Sequence, residues 1–176
     1  YDAGGHTGTI GTFSLIPQIV DIAGGRPVLA AGGVATGRHI AAAFALGAEG
    51  VWTGTPWLVT RENHTEPLLL KKLLAAGPED TVISRADSGK TLRQIRTAWS
   101  EEWAAPDAPT PLKMPYQDIL IGDLLGAIQD HNVEPLIHSP AGQGIVQFRE
   151  ETTVADVIRQ FVADAEHALA GLRRSP

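Results

Sequence analysis

The chain carries a histidine among glycines at its start, in the stretch YDAGGHTG from Tyr1 to Gly8. An imidazole, with an unperturbed pKa of about 6.5, can exchange a proton at neutral pH. Glycines beside it let backbone and ring come close to a bound molecule. His6 is therefore a candidate catalytic residue, although a lone histidine also reads as a surface or satisfied core residue. Two more glycine turns follow at Gly32-Gly33 and Gly54-Thr55. Backbone N–H groups at such turns can hold an anion without any lysine, and the Thr55 hydroxyl can add a donor. Taken singly, each turn also reads as an ordinary tight turn or helix stop. What raises their interest is that each of these two follows a short apolar run.

Those runs define the elements that must position the turns. Phe13 to Ala23 has helical spacing of Leu15, Ile16, Ile19, Val20 and Ile22, with Pro17 in its first turns and a stop at Gly24-Gly25. Pro27 to Ala31 and Gly50 to Thr53 read as strands buried on both faces, as in a parallel sheet. Between them Thr36 is the expected N-cap of a helix over Gly37 to Leu46, with Gly47 beyond its end. Alternating strands and helices imply right-handed βαβ units. Ligands of such folds collect at the carboxyl ends of the strands, where Gly32-Gly33 and Gly54-Thr55 fall. Gly4-Gly5-His6 would follow a further strand lying just upstream of Tyr1.

The later half reads differently. A helix capped by Thr65 is expected to run to Ala76 and stop at Gly77-Pro78. A short strand is expected over Thr81 to Ser84, then a helix from Leu92 to Trp103 carrying Ile95, Trp99 and Trp103 at fourfold spacing. Lys90, Arg93 and Arg96 would share a face of that helix, either as a solvated basic face or as a grip on the phosphates of a nucleotide-bearing substrate. Trp99 and Trp103 read as packing residues rather than a stacking platform. The proline-rich stretch from Ala104 to Pro115 should be extended, Tyr116 to Ile128 helical, and a loop should lead to Ala141-Gly142-Gln143-Gly144. Thr153 to Leu172 is the clearest helix, with one apolar stripe and a Thr153-x-x-Asp156 capping box.

Bulk properties narrow the class. The 176 residues carry a net charge of −6, from 14 Lys+Arg against 20 Asp+Glu. This argues against nucleic acid or an anionic membrane as partner. There is no cysteine, so this stretch holds no disulfide scaffold, thiolate zinc site or cysteine nucleophile. His39, His64, His131, His138 and His167 lack partners at metal-ligand spacing, so no metal is expected. With no apolar run of membrane-spanning length and no signal peptide, a cytoplasmic protein is expected.

Three stretches in this order are similar to the nitronate monooxygenase family, formerly 2-nitropropane dioxygenases. They are DAGGHTG, PVLAAGGVATGRHIAAAFALGAEGVWTGTPWL from Pro27 to Leu58, and DTVISRADSGKTLRQIR, followed by AGQG at Ala141. The resemblance implies an FMN-binding flavoenzyme of fold class α/β, the C-terminal part of a (β/α)8 TIM barrel with an additional smaller, mainly helical domain. It places the barrel units over residues 1–75, the smaller substrate or lid domain over 76–145, and a helix returning to the barrel over 146–176. His6 matches the family's catalytic histidine. Gly33, Gly54 and Thr55 match contacts to the FMN phosphate, with Gly32, Ala3 and Gly4 close to the cofactor. Because 176 residues fall short of a barrel of roughly 250, the N-terminal half of the barrel is expected from outside this stretch, and the intact protein can form a homo-oligomer.

The implied reaction oxidises an alkyl nitronate with O2 to a carbonyl compound and nitrite. The same superfamily includes FMN-dependent reductases of enoyl thioesters that use NAD(P)H, so an acyl-thioester substrate is the alternative. A non-catalytic interaction module, in which the glycine turns are structural and His6 is incidental, is the other.

Overall fold

The computed structural model describes residues 1–77 and 79–172. Its elements, in chain order, are β1 (Gly5–His6), α1 (Thr12–Ile22), β2 (Leu29–Ala31), α2 (Gly37–Ala45), β3 (Gly50–Trp52), α3 (Pro67–Ala75), β4 (Thr81–Ser84), β5 (Leu92–Ile95), α4 (Ala98–Glu102), α5 (Tyr116–Asp130) and α6 (Val154–Leu172). The fold is mixed α/β, and its strands form two small sheets. β2 and β3 pair in parallel, with Leu29 opposite Gly50 and Ala31 opposite Trp52. β1, β5 and β4 form an antiparallel sheet in that order, with His6 opposite Leu92 and Thr81 opposite Ile95.

The βαβ unit follows from its residue types. Ala30 is fully buried and packs with Ile16, Ala43 and Ala48, so α1 and α2 cover one face of the parallel pair. Alternation puts Leu29 and Trp52 on the other face, where they are exposed, so the burial on both faces that the apolar runs predict is met on one face only. Thr36 caps α2 as expected, its hydroxyl accepting the His39 N–H. α6 crosses α2 at Gly37, where any β-carbon would run into Ala165 N, Asp164 Cβ and the Phe161 carbonyl. At the start of α6, Thr153 Oγ1 accepts the Asp156 N–H. The Glu62 carboxylate, from the turn after β3, accepts the N–H of Val154. A second core joins Val59, Leu73, Ala76, Ile95, Ala141 and Ile145, tying α3 to the antiparallel sheet.

Three further expectations are corrected. The stretch Leu92 to Trp103 is a strand and a separate short helix. Leu92 to Ile95 are all buried in β5, and Thr97 opens α4 with a capping box to Ser100. Ile95 thus belongs to the sheet, and the fourfold spacing it shared with Trp99 spans two elements. Lys90, Arg93 and Arg96 therefore share no helical face. Arg93 is 5% exposed and donates to Thr81 Oγ1 at 2.9 Å and to the Tyr1 carbonyl at 3.2 Å, so it holds the chain's first residue against the sheet. Arg96 donates to the Glu79 carbonyl.

Second, α3 is capped by Glu66, whose carboxylate accepts from Leu68 and Leu69 N–H, with Pro67 supplying the preset φ of the first helical position. Thr65 instead donates to the Leu58 carbonyl at 2.6 Å. Of the expected stop at Gly77-Pro78, Pro78 lies outside the described residues. Third, Gly5 and His6 form a strand themselves, antiparallel to β5.

Candidate functional site

The carboxyl ends of β2 and β3 open into a cleft of about 350 Å³. Ala3, Gly4, His6, Gly32, Gly33, Gly54 and Thr55 all line it, together with Val34, Trp52, Gly142 and Gly144. Each sequence-predicted site residue is thus brought to one concavity. A larger groove of about 520 Å³ between α2 and α6, at Arg38, Gln160 and Phe161, contains none of the seven.

The floor of the cleft is backbone. Gly32 and Gly33 take φ of +96° and +72°, a region open to glycine and costly for side chains. A β-carbon on Gly33 would also run into the Asp2 carboxylate. That carboxylate accepts from Thr12 Oγ1 at 3.3 Å, and the Asp2 carbonyl accepts from Gln143 N at 3.1 Å. At Gly4 a β-carbon would sit 2.6 Å from Gly142 N. The segments at Gly4 and Gly142 therefore meet main chain to main chain, while Gly33 takes the Asp2 side chain against its backbone. Among the described residues, the N–H groups of Gly33 and Gly54 donate to no backbone carbonyl outside the regular elements. They remain available to an acceptor. Thr55 Oγ1 accepts the Gly142 N–H at 2.9 Å, which leaves its own proton free to donate.

His6 is presented from the antiparallel sheet. Its Nε2 lies 2.7 Å from Ser88 Oγ, and Ser88 is buried. With Nε2 so engaged, Nδ1 is the ring nitrogen left for a ligand. Ser88 sits on the turn between β4 and β5, and that turn is tied down at every residue. The Ala86 carbonyl accepts from Gln117 Nε2 at 2.7 Å. Asp87 accepts from Trp99 Nε1 at 3.0 Å and faces His138 Nε2 at 3.3 Å, both side chains being 10% exposed. Trp99 therefore packs against Trp103, ring centroids 5.6 Å apart, and also braces this turn.

Sequence reasoning missed Ser88 and the Asp87–His138 pair. Their partners are remote in the chain, and no local spacing signals either contact. Gly142 and Gly144 carried a signal in the AGQG motif, whose glycines approach Gly4 and Ala35 closely. The Thr36 cap places His39 in the first turn of α2, where it lines a neighbouring pocket with Asp2 and Thr12 and contacts Ala35 of the cleft. Its Nδ1 accepts the Ala35 N–H at 3.1 Å. Burial first, and the neighbouring Arg38 charge second, hold its pKa below the usual histidine value. No group of histidine and carboxylate residues able to hold a metal ion occurs among the described residues. No described helix is long and apolar enough to cross a membrane.

Comparison with known proteins gives a consistent assignment. A family model described as nitronate monooxygenase matches residues 1–164. The Mycobacterium tuberculosis protein named "Putative monooxygenase Rv1533" is 56% identical over 122 residues, covering 69% of this chain and 32% of that protein. The structure of nitroalkane oxidase from Streptomyces ansochromogenes superposes with a TM-score of 0.84 at 29% identity, over 97% of this chain and 51% of that one. FabK from Thermotoga maritima gives a TM-score of 0.79 at 30% identity, over 98% of this chain and 54% of that one. The chain thus spans between a third and about half of the length of these proteins.

Proposed function

The chain belongs to the nitronate monooxygenase family, and from that premise we propose that its cleft holds FMN in an oxidoreductase that converts an alkyl nitronate and O2 to a carbonyl compound and nitrite. One observation carries the reading: His6 and the glycine turns, drawn from both sheets, face one cleft of about 350 Å³. That volume lies within the range of small-molecule sites.

The residues present fit FMN. The phosphate falls to the Gly33 and Gly54 N–H groups and the Thr55 hydroxyl, where no lysine or arginine lines the cleft. The backbone floor at Gly4, Gly32 and Gly33 leaves room for a flat ring to lie close to main chain. When bound, the flavin supplies the electron acceptor for the nitronate. The protein supplies position and electrostatics. His6 Nδ1 orients the nitro oxygens through a hydrogen bond, or takes the α-proton where the neutral nitroalkane is used. Ser88 acts through His6, as a positioning residue that fixes the ring's rotation.

β2 and β3 would be two adjacent strands of a (β/α)8 barrel whose other strands come from outside these 176 residues. Leu29 and Trp52 would face its interior, and the elements around the antiparallel sheet would form the smaller domain. The decisive experiment mixes full-length protein anaerobically with propionate 3-nitronate and, separately, with NADPH. Bleaching of the flavin by the nitronate but not by NADPH is expected. Bleaching by NADPH alone would assign an enoyl-thioester reductase instead, and a colourless protein that binds no FMN would remove the enzymatic reading.

A further inference from the structure

Asp87 and His138 form a buried pair that the proposed chemistry leaves unused. His138 Nε2 lies 3.3 Å from Asp87 Oδ2, and each side chain is 10% exposed. Asp87 Oδ1 accepts from Trp99 Nε1 at 3.0 Å and from Nε2 of the fully buried Gln94 at 3.4 Å. His138 Nδ1 meets no hydrogen-bonding partner among the described residues, so among them Asp87 alone orients the ring. Burying such a pair carries a desolvation penalty, and apolar residues of similar volume often fill the space as favourably. What the pair supplies instead is position.

It stands at the root of two walls of the cleft. Ser88 directly follows Asp87, and its Oγ lies 2.7 Å from His6 Nε2. His138 opens the segment that runs beside β5, where the Ile95 N–H donates to the Ser139 carbonyl at 3.0 Å and Gln94 bridges to Pro140. Four residues after His138, the Gly142 N–H donates to Thr55 Oγ1 at 2.9 Å. We propose that Asp87 and His138 are positioning residues of the cleft. The His138 Nε2–H donates to Asp87, and this contact keeps Ser88 on the His6 ring and Gly142 on Thr55 in one register. The consequence for turnover rests on the enzymatic reading above; the consequence for the His6 ring does not.

The test uses full-length protein with isotope-labelled histidine ring nitrogens, read by NMR, with His6 and His138 assigned by substitution. In wild type, His138 Nε2 should carry a proton. His138→Leu fills the space without a donor. It should narrow the chemical-shift difference between the two His6 ring nitrogens, because a ring released by Ser88 samples both tautomers. It should also lower kcat/KM with a nitronate roughly fivefold, the effect of about one hydrogen bond, and weaken FMN retention. His138→Gln returns an N–H donor to the same place and should recover most of each loss. Equal losses in His138→Leu and His138→Gln would make the residue a packing element and overturn the proposal. So would His6 shifts unmoved in His138→Leu, or a bare Nε2 on His138 in wild type. That last reading needs no variant, so it decides even if His138→Leu does not fold. A protein that holds no flavin would remove the turnover and retention readings and leave those of the two rings in force, so failure here and failure of the enzymatic reading are separable.

Discussion

The His6 imidazole and the Ser88 hydroxyl lie 2.7 Å apart, although 82 residues separate them in the chain. The bond spans β1 and the turn between β4 and β5, and it leaves Nδ1 as the ring nitrogen that Ser88 does not engage. Ser88→Ala removes the bond and leaves the fold, because the turn is still held by Gln117 and Trp99. A hydrogen bond of this kind contributes about 1 kcal/mol, so kcat/KM with a nitronate should fall roughly fivefold or more. The acid limb of its pH profile should move as well, and Ser88→Thr should recover part of both. An unmoved profile would reduce Ser88 to a structural residue.

His6→Ala should lower kcat by about 10²–10⁴-fold, the range for loss of a positioned acid–base group, while FMN content stays near wild type. Steady-state turnover and the flavin absorbance per polypeptide give the two readings on one preparation. Turnover that survives would remove the catalytic role.

At Thr55, valine keeps the shape and deletes the hydroxyl. The Gly142 N–H then loses its acceptor, and the cleft loses a donor. FMN retention through dialysis should fall roughly tenfold or more, since an unpaired group costs about 1–3 kcal/mol. Retention equal to wild type would count against the phosphate cradle.

Acidification should destabilise the start of α2 through His39. Its pKa in the folded protein lies below the ordinary value, chiefly because of burial and next because of Arg38. The unfolded chain therefore takes up the proton first as pH falls below about 6.5, and stability declines from there until the folded form also titrates. Denaturant titrations at stepped pH should show this slope, and His39→Ala should flatten it. A slope that persists in the variant would assign it to another group.

Gly37→Ala tests the helix crossing. Its methyl meets α6 backbone, and overpacking of this kind costs about 1–3 kcal/mol. A lowered melting temperature is expected; an unchanged one would mean that α6 shifts freely on α2.

Legibility in the sequence followed the range of the forces involved. The βαβ unit was readable because apolar runs and caps are local: Thr36 caps α2 as its position predicts. The cleft was readable because strand ends concentrate glycine turns. β5 was not, since the spacing of Ile95, Trp99 and Trp103 imitates a helix until Thr97 interrupts it. Nor was the role of Arg93, whose partners Thr81 and Tyr1 are set by sheet register. Ser88, Asp87 and His138 meet only after β4, β5 and the following loops have folded, and the sequence contains no periodicity that announces such a meeting.

His6 belongs to the antiparallel sheet, whereas Gly33 and Gly54 end the parallel pair. A molecule that touches the imidazole and both glycine turns is therefore a rivet between two sheets that share no strand. Its binding energy adds directly to cohesion across that seam. Heating a sample with graded amounts of ligand would accordingly weigh the rivet, and would do so even for compounds that the protein never turns over.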